Sequence, residues 1–235
     1  MDTPRTNESN CWACHASLAA SPLLCPHCGK VQPSAGINYF QAFAAVTGGQ
    51  PLLTLDLAAL EREFHRLSRK LHPDRFARAS EGEQAWSLAA TALLNDAYRA
   101  LKDPVQRTEY LLELKGQGVG EQNAGRNKSA DRQPPADLLE EVFELNMQLE
   151  ELRMNQKMGE DDPALTADLT RAQAHFDGLL AQVDSDLASQ AALWDSGDDT
   201  ARAAALKSMA SLLDRRRYLR NLVRDVKDAL ATPAL

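Results

Sequence analysis

Four thiols and one imidazole–carboxylate pair are the residues of this chain best suited to chemistry. Cys11-Trp12-Ala13-Cys14 and Cys25-Pro26-His27-Cys28 are two C-x-x-C pairs, with ten residues between Cys14 and Cys25. Two residues between thiolates let both sulfurs reach one ion from a tight turn. Two such turns close a tetrahedral tetracysteine site, the usual structural zinc arrangement. Two disulfides or free thiols are the alternative, and iron suits tetrahedral sulfur as zinc does. No cysteine follows Cys28, so the four make a local device and not a framework spread through a fold. Four thiolates already fill such a site, which leaves His15 and His27 as bystanders and no open coordination position for catalysis. A module this short has no core of its own, so the metal would supply most of its folding energy.

The second feature is Leu71-His72-Pro73-Asp74-Arg75-Phe76, which offers an imidazole, a rigid ring and a carboxylate in consecutive positions. No other titratable cluster in the chain resembles a catalytic site. An enzyme reading therefore has little support, and the chain reads as a non-enzyme.

The elements that hold this loop are legible on both sides. Before it, Leu57, Leu60, Phe64, Leu67 and Leu71 recur at steps of three and four, one face of a helix, while Arg62, Arg66, Arg69 and Lys70 occupy the opposite face. Asp56 can cap it. Pro73 has no N–H and disfavours the α region at His72, so the helix stops there. After the loop, Ser80-Glu81-Gly82-Glu83 has the form of a capping box, and Trp86, Ala89, Leu93, Ala97 and Leu101 follow as one apolar stripe. The two helices should pack as an antiparallel hairpin with the loop at one end. Ile37 to Phe43 predicts a short helix ahead of the hairpin. Residues 105–114 predict another behind it, with Tyr110, Leu111 and Leu114 inward.

Bulk properties exclude several classes. The 235 residues are 44% hydrophobic and 25% charged, ordinary for a globular protein. A net charge of −7 argues against a nucleic-acid partner, so the basic helix face is a local patch on an acidic molecule. No apolar run is long enough to span a membrane. The ten residues before Cys11 include Asp2 and Glu8 and have no signal-peptide core, so a cytoplasmic location is expected over a mitochondrial one. Abundant alanine and leucine with few β-branched residues predict an all-α fold.

Pro33 to Gly36 reads as a hinge, and the glycine-rich polar stretch from Gly116 onward as a flexible linker. The resulting organisation is a metal module over 1–36, a hairpin domain over 37–115, a linker over 116–134 and a helical bundle over 135–235. In the last, Leu138, Val142, Leu145, Leu149 and Leu152 form one core face. Leu165 to Leu187 and Met209 to Leu230 carry two further stripes, which together predict an antiparallel three-helix bundle. The first bundle helix has a second apolar row, Leu139, Phe143 and Met147, beside Glu140, Glu144, Glu150 and Glu151. An apolar strip with an acidic rim suits a docking surface; a wide core stripe is the other reading.

Tyr39-Phe40, His72-Pro73-Asp74, Asn95-Asp96-Ala97-Tyr98 and Leu101-Lys102-Asp103-Pro104 are, in order, the landmarks of a J domain. With Arg75-Phe76 and Glu109-Tyr110-Leu111-Leu112, the chain resembles the HscB branch, co-chaperones of iron–sulfur cluster biogenesis. Some members carry a tetracysteine zinc module ahead of the J domain. The resemblance implies binding to a DnaK/HscA-type ATP-dependent chaperone through His72, Pro73, Asp74 and the basic face, with stimulation of its ATPase. It also implies that the first bundle helix, with an aromatic of the last, binds an IscU-like scaffold protein. By position the candidates are Leu139, Phe143, Glu144, Met147 and Tyr218. Glu140 stands where the family usually has methionine, and Met147 where it has glutamate. A general J-domain co-chaperone with another client, a zinc-ribbon nucleic-acid-binding protein and an iron redox protein are the competing readings.

Overall fold

A computed structural model describes residues 9–18, 22–117 and 135–231. The predicted linker lies, beyond Gln117, outside these residues. The chain divides into two units, Met1–Leu111 and Leu112–Leu235. Apart from one two-stranded ribbon, the regular structure of the described residues is helical.

In the first unit, β1 (Ser9–Asn10) and β2 (Ser17–Leu18) pair antiparallel, with Ser9 opposite Leu18. Leu24 and Val31 form a matching bridge around the second cysteine turn. Two short helices, α1 (Tyr39–Ala42) and α2 (Ala44–Thr47), replace the single one expected over 37–43, and Phe43 is the break between them. Then come α3 (Leu57–Leu71), a 3-10 turn (Pro73–Phe76), α4 (Glu81–Lys102) and α5 (Pro104–Leu114). The Asp56 side chain caps α3 by accepting from the Ala59 N–H at 3.0 Å. Ser80 caps α4 in the same way through the Glu83 N–H.

α3 and α4 form the hairpin, and Phe40, Phe43, Leu60, Leu71, Leu94 and Leu101 are fully buried in its core. Phe64 stacks on Tyr98 with centroids 4.2 Å apart, and Tyr39 stacks on Tyr110 at 4.1 Å. Leu23 and Val31, from the cysteine segment, belong to this same core.

Three expected positions are corrected. The buried row of α4 is Glu83, Ser87, Ala90, Leu94, Ala97 and Leu101, so Ala89 faces water. Polarity alone would place Ser87 outside, but it is inside because its hydroxyl satisfies a buried carbonyl. Leu57 is exposed at the start of α3, and Leu114 is exposed at the end of α5, where Arg107 and Thr108 are buried instead.

The second unit is a three-helix bundle. A 3-10 turn (Ala136–Leu138) leads into α6 (Leu139–Met158), followed by α7 (Pro163–Ser196) and α8 (Asp199–Ala231). Gly159 ends α6 in the left-handed region at φ 71°, which glycine adopts without a Cβ penalty. The α7–α8 turn is tight: a Cβ on Gly197 would lie 2.5 Å from the Leu193 carbonyl oxygen and 2.7 Å from the Ala201 Cβ. Cross-links fix the order of the bundle. Arg216 pairs with Asp184 at 2.6 Å, His175 meets Glu141 at 3.1 Å, and Arg215 pairs with Asp137 at 2.8 Å. Val142, Leu145, Leu149, Leu169, Phe176, Val183, Met209, Leu219 and Val226 fill the interior.

Candidate functional site

The four cysteine sulfurs lie within 4.8 Å of one another. Cys11 Sγ is 3.6 Å from Cys28 Sγ, and Cys14 Sγ is 3.7 Å from Cys25 Sγ. A disulfide needs about 2 Å. A tetrahedral ion with metal–sulfur bonds of about 2.3 Å sets its sulfurs about 3.8 Å apart, so the Cys11–Cys28 and Cys14–Cys25 separations match two edges of a metal–thiolate tetrahedron and the other pairs are near enough to close it.

The two turns repeat each other. The Cys11 and Cys25 N–H groups donate to Ala16 and Lys30 carbonyls, and the Cys11 and Cys25 carbonyls accept from His15 and Gly29, all at 2.9 Å. His15 takes φ 60° where its counterpart Gly29 takes 73°, an uncommon conformation for a residue with a Cβ and evidence that the turn geometry is imposed.

Electrostatics divide the thiols. Loss of water opposes ionisation of Cys11, but the N–H groups of Cys14 and Ala13 together with the Cys14 and Cys28 thiols outweigh it and bring the thiol down to about 6. The Lys30 N–H favours the Cys28 thiolate, but desolvation and three sulfur neighbours push this thiol up to about 12. A group of thiols that resists holding four charges is the setting in which a divalent cation is most stabilising.

The module is fastened to the hairpin. The Trp12 indole donates to the Val31 carbonyl at 2.7 Å and meets Trp86 of α4 at 5.4 Å between centroids. Lys30 pairs with Glu83 at 2.7 Å, and its ammonium lies 5.8 Å from the Trp12 ring centre. Glu83 is the same residue that closes the N-terminus of α4.

At the C-terminal end of α3, His72 leaves the helix at ψ 129°, as a residue before proline must. Pro73 occupies the first turn of the 3-10 segment, and the Asp74 N–H donates to His72 Nδ1 at 3.3 Å. The Asp74 carboxylate projects into water, 89% exposed. The loop is short and internally bonded: the Asp74 carboxylate lies 3.4 Å from His72 Nδ1, yet its exposure leaves it open to an outside partner. Arg62, Arg66, Arg69 and Lys70 all lie exposed along α3. Arg66 is held by Glu63 through two bonds of 2.6 Å, whereas Arg69 and Lys70 have no ion-pair partner among the described residues.

On α6 the second apolar row is exposed: Leu139 at 55%, Phe143 at 67% and Met147 at 58%. Met154 and Met158, which the sequence reading missed, are equally exposed. At 100° per residue the five fall within an arc of about 100°, centred roughly 150° from the buried row. The row is therefore not a widened core face. Each such side chain left in water forgoes about 1.5–3 kcal/mol of burial, a cost that folding alone does not explain. The signal for the two methionines was present at i+7 and i+11 from Met147. Glu144 is exposed on the rim. Tyr218 is half-buried on α8, one turn beyond the Arg215 that pairs with Asp137, and burial raises its hydroxyl's pKa. The ion pair thus brings Tyr218's stretch of α8 to the start of α6.

No family model matches the chain. Among curated proteins, a co-chaperone protein HscB homolog of Vibrio vulnificus is 33% identical over 177 residues, which cover 75% of this chain and 92% of the relative. An HscB homolog of Vibrio cholerae is 35% identical over 195 residues, covering 83% and 99%. Among solved structures, the chaperone HscB from Vibrio cholerae superposes with a TM-score of 0.51 at 25% identity, over 81% of this chain and 96% of that one. The crystal structure of human co-chaperone protein HscB superposes with a TM-score of 0.61 over 93% and 97%, and at 22% identity it speaks to the fold alone.

Proposed function

The chain belongs to the HscB co-chaperone family, and we propose that it carries an IscU-like scaffold protein to a DnaK/HscA-type chaperone and stimulates that chaperone's ATPase during iron–sulfur cluster assembly. The observation that carries this reading is the presence of two exposed surfaces of unlike chemistry. One is the His72–Asp74 loop with the cationic face of α3; the other is the apolar strip of α6.

The chaperone side works by charge and geometry. Arg62, Arg66, Arg69 and Lys70 steer the domain to an acidic surface, which raises the encounter rate. Asp74 pairs with a cation of the partner, while the Pro73 ring and the His72–Asp74 hydrogen bond hold the loop in shape. No bond is made or broken by this protein. It favours the hydrolysis-competent state of its partner by binding that state better. Leu139, Phe143 and Met147 hold the client, with Glu144 and Tyr218 at the edge of the contact.

Cys11, Cys14, Cys25 and Cys28 hold zinc in a structural role, since the set is all-thiolate and leaves no position open. The cytoplasm is the proposed compartment.

The test uses the purified scaffold and chaperone proteins of the same organism. Asp74→Asn should abolish ATPase stimulation and leave scaffold binding intact; Phe143→Ala should do the reverse. Loss of both activities in either folded variant, or of neither, would sink the two-surface reading.

A further inference from the structure

A groove of about 780 Å³ opens between the cysteine module and the hairpin. Ser17, Pro26 and His27 form its module wall, and Arg66, Lys70 and Arg75 line the opposite one, over a floor that includes Leu67 and Phe76. Three cations face it against one carboxylate, Glu63, already bonded to Arg66, and the sulfur of Cys25, which the metal site engages. Lys70 and Arg75 have no ion-pair partner among the described residues. The groove is therefore cationic along its hairpin wall and apolar at its base, which suits a segment carrying carboxylates between small apolar side chains.

We infer that the cysteine module is part of the chaperone-docking surface: an acidic segment of the DnaK-type partner lies in this groove, between the module and α3. The inference rests on the proposed function and gives the module a role in it. Two further observations identify the occupant. Arg66 and Lys70 belong to the face already assigned to that chaperone, and Arg75 directly follows Asp74, so the groove continues the same surface around the loop. The module wall is also rigidly placed. Lys30–Glu83, Trp12–Trp86 and the shared core residues Leu23 and Val31 seat it on the hairpin before any partner arrives. A wall set in advance costs no ordering on binding.

The experiment places charge on the module wall of the full-length protein. Ser17→Glu with His27→Glu should raise the concentration giving half-maximal ATPase stimulation about tenfold, while metal content, melting temperature and scaffold binding stay unchanged. Ala13→Glu, exposed on the module but outside the groove, should have no effect. Ser17→Lys with His27→Lys should lower the half-maximal concentration. It decides the matter if the glutamate pair loses its metal. An unchanged half-maximal concentration in the lysine pair, or in a metal-retaining glutamate pair, overturns the inference while Asp74→Asn still abolishes stimulation. Intact stimulation in Asp74→Asn instead removes the proposed function itself, and this inference with it.

Discussion

The Leu71 carbonyl, last of α3, accepts the Ser87 hydroxyl of α4 at 2.6 Å. Thr91 donates to the same oxygen at 3.1 Å. A helix end that would otherwise hold an orphan buried acceptor is thereby tied to the facing helix, one residue before His72. The recognition loop inherits its position from a serine on another element.

Ser87→Ala should therefore destabilise the hairpin by about 1–2 kcal/mol, since Thr91 retains part of the contact. Urea unfolding followed by far-UV circular dichroism measures it. ATPase stimulation should fall in the folded variant, because the loop loses an anchor without losing any residue of its own.

The α6 strip should be functionally graded. Phe143→Ala should weaken scaffold binding at least about tenfold, the behaviour of a large aromatic anchor. Its stability should change little, as the ring is mostly in water. Met154→Ala and Met158→Ala, further along the same arc, test how far the contact extends. Calorimetric titration with the scaffold reads each one, and unaltered affinity in both would confine the contact to the first half of α6.

Glu83 should make the seating of the cysteine module pH-dependent. The hydrogen bond from Lys30 lowers its pKa below the ordinary value of 4.5; desolvation opposes this, and Ser80 adds to the lowering. A carboxyl with a depressed folded pKa stabilises above its unfolded value and loses that contribution as pH falls through the folded one. Glu83→Gln should thus be less stable than the parent at neutral pH. The difference should shrink as pH falls below about 4.5, towards the lowered value. Urea midpoints of both proteins between neutrality and strong acid test the sign.

Metal removal should act on the first unit alone. Cys11→Ser, or chelation under mild denaturant, should release one zinc per chain and loosen Trp12 from Trp86. Tryptophan emission would report that separation. The bundle, whose Trp194 is buried elsewhere, should melt as before. A colourless protein with one zinc would also remove the iron redox reading.

Much of this is legible in the residues alone. Spacing of two between cysteines, proline after histidine and steps of three and four are local signals, and the elements they name are present. What the pattern could not carry was tertiary. The inward turn of Ser87 depends on a carbonyl sixteen residues away, so polarity alone put Ala89 in the α4 row where Ser87 and Ala90 are buried, while Trp86, Leu93, Ala97 and Leu101 do face the core. The Lys30–Glu83 and Trp12–Trp86 contacts join segments more than fifty residues apart and leave no periodic trace. The α6 strip was half legible: Leu139, Phe143 and Met147 stand at regular steps, but Glu150 and Glu151 interrupt the row before Met154 and Met158 resume it.

The shared core of cysteine module and hairpin bears on how the protein is cut. A fragment starting at Ile37, where composition invites the scissors, would leave behind Leu23 and Val31 and uncover the apolar residues they pack against. Such a fragment should be prone to self-association. The shortest well-behaved piece containing the J loop should begin before the first cysteine.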